Sequence, residues 1–115
     1  MKTTAKQFKE FKEEFKKWQG VFGLGGYQAY FKLCELEDSF ATLSYTPGQM
    51  VVTVSLNNEV TGDDALFFDP KKSAKHEAVH LLLARLSVLA SERCISDNAI
   101  YEAEEEIVNK LVVIL

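Results

Sequence analysis

The stretch "DPKKSAKHEAVHLLLARLSVLASER", residues 69 to 93, constrains this chain more than any other. Asp69 is a good helix N-cap and Pro70 suits the first helical position. Beyond them Leu81, Leu82, Leu83, Leu86, Val88 and Leu89 cover most of a helical circumference. A helix apolar nearly all round must be covered by more than one neighbour. The spacing therefore predicts a long helix wedged between a sheet and another helix. "CISDN" ends it, with Ser96 or Asp97 as the next N-cap, and residues 98 to 114 form a last helix.

The preceding residues supply the neighbours. Phe8, Phe11, Phe15 and Trp18 recur at three- and four-residue steps between lysines and glutamates, which predicts an amphipathic helix over residues 4 to 19 docked by its apolar stripe. "GVFGLGG" breaks that helix. Its glycines are not a phosphate loop, because no GK[ST] follows and the next segment is a strand. Residues 27–33, 40–45 and 50–57 alternate apolar and polar positions as strands do. Pro47 and Gly48 stand where a type II turn wants them. The expectation is a small three-stranded antiparallel meander, and an α+β fold of N-terminal helix, sheet, long helix and C-terminal helix. Residues 58 to 69 read as an acidic solvated loop without EF-hand spacing.

Composition sets limits on function. The 115 residues suit a single domain, 1–115, and the 47% apolar content argues for a packed globule rather than disorder. A net charge of −4 argues against a general nucleic-acid binder. The N-terminus is charged where a secretory segment would be apolar, and no apolar run approaches a membrane span. Cys34 and Cys94 are far apart and in no CxxC pattern, so they read as reduced thiols of a cytoplasmic protein.

The chemistry is concentrated in "AKHEAVHLLL". His76 and His80 are the chain's two histidines, four residues apart, with Glu77 directly after the first. On a helix, positions i and i+4 project from one face, so both imidazoles can chelate one zinc ion. Glu77 lies about 100° round the helix, beside a metal rather than on it. A carboxylate there can take a proton from zinc-bound water and pass it to a leaving amine. The bland alternative is a pair of core histidines, each satisfied by a hydrogen bond. Two of them stacked beside an acid is a costly way to build a core.

A catalytic zinc wants a third protein ligand and one open position. In the last helix Ile100, Ala103, Ile107, Val108, Leu111, Ile114 and Leu115 trace an apolar stripe, and Glu104 falls inside it at 100° per residue. A carboxylate in a buried stripe demands a partner. Glu104 is thus the first choice for third ligand and Glu105, at the stripe's edge, the second. Glu102 and Glu106 should point to solvent. Surface acids on a solvated helix are the alternative.

With "HEAVH" and "EAEEEIV" the chain resembles the zincin metallopeptidases, specifically the gluzincins, in which HExxH is completed by a glutamate on a later helix. It is also similar to short zincin-like proteins of phages and prophages that end in a comparable pattern. The resemblance covers residues 72 to 111 closely and the rest by order of elements. It implies zinc on His76, His80 and Glu104 (or Glu105), Glu77 as general base, and a peptide or protein substrate paired with the strand at 50–57. Tyr101 and Arg85 are candidates by type for oxyanion stabilisation. Two functions follow: a small zinc metallopeptidase, or a catalytically inactive zincin-fold module that uses zinc structurally and binds a partner. An exposed edge strand would also permit a homodimer.

Overall fold

The computed structural model describes residues 1–46, 48–92 and 94–115, so Pro47 and Arg93 lie outside the described residues. Helix α1 spans Ala5–Val21. It begins with a reciprocal cap: Gln7 N donates to Thr4 Oγ1 at 3.1 Å, and Thr4 N donates to Gln7 Oε1 at 2.8 Å. Its aromatic stripe does what the spacing predicts. Phe11 and Phe15 are fully buried, and both meet Phe31 edge-on, with centroids at 6.4 and 5.7 Å. Gln19, one turn past Phe15, donates to the carbonyls of Leu24 and Tyr27, both at 2.9 Å. That side chain ties the end of α1 to the glycine-rich turn and to the first strand.

Strands β1 (Gln28–Cys34), β2 (Ala41–Thr46) and β3 (Val51–Asn57) form one sheet in the order β1-β3-β2. β2 pairs antiparallel with β3, but β1 pairs parallel with it. The sheet is therefore mixed, which corrects the expected antiparallel meander. The physical reason lies in β3. From Val52 its residues are buried on nearly every position, on both faces, whereas β1 and β2 alternate. A strand buried on both faces belongs in the middle. The chain between β1 and β2 must then cross the end of β3. Buried Asn57 fixes that crossing: its Nδ2 donates to Leu36 O and Ser39 O, each at 2.9 Å. At the other end, Gln49 N donates to Thr46 O at 3.3 Å and Gly48 takes φ 84°, the left-handed value that a type II turn needs at its third residue. The expectation for Pro47 in that turn lies outside the described residues.

The acidic segment contains a short 3₁₀ helix, Gly62–Phe67, rather than only loop. Helix α2 then spans Pro70–Ala90, with Asp69 accepting from the amides of Lys71 and Lys72 as its N-cap. α2 packs on α1, β2 and α3 (Asp97–Ile114), through Ala74, Ala78, Leu81, Leu82 and Ala84. It is not covered all round: Val79 and Leu83 are exposed, and Leu86, Val88 and Leu89 are half-buried. Ser96 caps α3, its hydroxyl accepting from Ala99 N. Only Ala103 of α3 is buried, with Ile107 and Leu111 packed against the core. Cys34 and Cys94 are free thiols. Among the described residues no helix is long and apolar enough to cross a membrane.

Two substitutions test this architecture. Phe15→Ala empties the contact between α1 and the sheet and should cost about 3–5 kcal/mol of unfolding free energy in a urea titration. Asn57→Ala leaves two carbonyls of the crossover without their donor. It should cost about 1–3 kcal/mol, with amide exchange accelerated at residues 36–41 before the rest of the sheet.

Candidate metal centre

Helix α2 presents its histidines to solvent and its glutamate to the protein. His76 and His80 are exposed, while Glu77 is only 6% exposed. The cause is helical phase. Ala74, Ala78, Leu81 and Leu82 turn one side of α2 into the core, and Glu77 sits at the border of that side, against β2. The two imidazoles converge: Nε2 to Nε2 is 3.2 Å, with ring centroids at 4.8 Å and planes at 70°. A tetrahedral zinc with bonds of about 2.0–2.1 Å sets its ligand nitrogens about 3.3–3.4 Å apart. The pair therefore fits two corners of such an ion. The same separation lets one neutral ring donate its Nε2–H to the other.

Glu77 lines a groove between α2 and β2 that runs past both histidines. Burial pushes its carboxyl above the ordinary glutamate value, and the nearby His80 and His76 pull it back in part. A proton is thus held more readily there than on a surface glutamate, which suits a group that must both accept and release one.

The other expected participants are placed elsewhere. Glu104 is exposed rather than inside a buried stripe, and Glu105 is half-buried. α3 meets α2 where Ala103, Glu106 and Ile107 face Leu81, Leu82 and Arg85. At 100° per residue that flank of α2 lies about 100–180° around from His76 and His80. The stripe reading failed because α3 is amphipathic on a narrower face than its sequence suggests. Val108 and Leu115 are exposed along with Glu104. Glu106 is exposed, as expected, and there forms an ion pair with Arg85. Arg85 is thereby engaged away from the histidines, and Tyr101 is exposed on α3. Among the described residues no group of three or more histidine, cysteine or acidic side chains stands together to hold a metal. The two histidines fit two corners of a zinc site, and Glu104 is exposed on α3.

The strand beside the site is also different from the one expected. β3 is central and β2 is the free edge next to α2, so β2 borders the groove. Tyr45 of β2 donates from its hydroxyl to Ala84 O at 3.3 Å, anchoring the strand to the helix. Phe40, Phe67 and Lys72 line the other end of the groove with His76. No sequence motif marks these residues. Only the alternation of Ala41, Leu43 and Tyr45 hinted at which face of β2 turns toward α2.

Comparison with protein-family models, curated proteins and solved structures finds no match to this chain.

The raised carboxyl of Glu77 has a consequence for stability. The folded chain binds that proton more tightly than the unfolded chain, so stability falls as pH rises from the unfolded value through the folded one. Metal-free Glu77→Gln should lack this fall. Denaturation across a pH series should show the variant equal to or more stable than wild type above that window, with the difference closing on acidification below the ordinary glutamate range. A wild type whose relative stability grows with pH there would contradict the assignment.

Proposed function

We propose that this chain is a small zincin-like zinc metallopeptidase, in which His76 and His80 hold the metal and Glu77 moves the proton of peptide-bond hydrolysis. The observation that carries the reading is the 3.2 Å approach of the two Nε2 atoms beside a buried glutamate with a raised pKa. The order of elements, helix, small sheet, HExxH helix and final helix, supports it. Zinc held there would supply Lewis acidity toward a carbonyl and a water. The chain's own residues do the rest. The free edge of β2 offers backbone groups to an extended peptide, which lies along the groove and past the histidines. Glu77 takes the proton from the attacking water on a carboxylate oxygen and returns it to the leaving amine.

A second reading is favoured by the position of Glu104: a catalytically inactive zincin-fold module that uses the histidines for a structural or partner-bridging metal. One set of measurements separates the two. Protein purified without chelator should carry about one zinc per chain, and His76→Ala and His80→Ala should each lose it. Glu77→Gln should keep the metal and slow peptide cleavage at least about a hundredfold. Glu104→Gln should leave the zinc content unchanged. Zinc binding with no Glu77-dependent cleavage would select the inactive module, and absence of zinc from the wild type would remove both.

A further inference from the structure

We infer that the groove selects a bulky apolar side chain of an extended polypeptide, and that Phe67, together with Phe40, is what selects it. The inference rests on the peptide-binding reading of the same site and names its substrate class.

Strand geometry comes first. In β2, Ala41, Leu43 and Tyr45 are half-buried toward α2, while Thr42, Ser44 and Thr46 are exposed on the opposite face. A peptide added to the free edge of β2 keeps that alternation, so every second side chain enters the space over α2. At the Ser39–Ala41 end that space is a cavity of about 340 Å³, walled by Phe40 and Phe67 and facing His76 and Glu77. Its size is at the lower end of the range for small-ligand pockets, enough for one large side chain.

The aromatic wall is set up in advance but left uncovered. Phe68 packs against Phe40, with ring centroids at 5.5 Å, which fixes the neighbouring residue at the pocket rim. Phe67 itself is 73% exposed, at the end of the 3₁₀ helix, with Leu66 beside it at 82%. Covering such a ring with an apolar side chain removes its surface from water, and an anionic one would gain nothing from it. The charged lining, Lys72, Asp69 and Glu77, is of mixed sign, and Asp69 already caps α2. An acidic guest therefore gains nothing from the lining.

The test is a binding measurement on the full chain, made with and without added zinc. Labelled, extended Thr/Ala hexapeptides carry a single guest residue, Phe, Leu, Ala or Asp, and anisotropy reports affinity. Phe and Leu guests should bind about tenfold tighter than Ala or Asp guests, with amide shifts along residues 41–46. Phe67→Ala should bring all guests to within about twofold of one another by weakening only the Phe and Leu peptides, and Phe67→Leu should restore the preference. Unchanged thermal melting would show that both variants are folded. Equal affinity for all guests, or a preference that survives Phe67→Ala, overturns the inference. Discrimination without any zinc binding would leave it standing while removing the metallopeptidase reading. Zinc binding with no peptide bound would do the reverse.

Discussion

The side-chain amide of Asn57 sits at the point on which the strand order depends. It is buried at the end of β3 and donates to two carbonyls of the segment that carries the chain from β1 to β2. A buried amide left without partners is costly, so these bonds strongly favour one path for the crossover. With the crossover pinned, β3 lies between its neighbours, β1 becomes parallel to it, and β2 is pushed to the edge beside α2. The free edge next to the histidines is a result of that bond pattern.

α2 serves two surfaces at once. Its small residues, Ala74, Ala78 and Ala84, let it approach its neighbours closely, while Leu81 and Leu82 fill the space among them. The 3.6-residue turn then leaves His76 and His80 pointing outward from the opposite side. Glu77 occupies the seam, where burial raises its proton affinity without sealing it from the groove. The packing on one side of α2 thus holds His76, Glu77 and His80 in place on the other.

α3 is joined to the rest more loosely. Ala103, Ile107 and Leu111 contact the core, and the ion pair of Arg85 with Glu106 reinforces that flank. The remaining face, with Tyr101, Val108 and Val112, is exposed. Glu104 is exposed along with that face.

Much of this was legible in the residues themselves. The caps at Thr4, Asp69 and Ser96, the phenylalanine stripe of α1 and the shared face of His76 and His80 are local properties, governed by helical geometry over a few residues. Local rules could not decide the partner of β1, the side of α3 that turns inward, or the strand that borders the groove. Those depend on contacts between residues far apart in the chain, such as Asn57 with Leu36 and Arg85 with Glu106. The sequence by itself determined that an HExxH pair would stand on one face of a buried-backed helix. Only the tertiary structure decided that β2 would border the groove past the histidines, that Phe67 would line it beside His76, and that Glu104 would be exposed, because strand order and helix docking are set by which long-range contacts bury the most apolar surface while leaving no polar group unpaired.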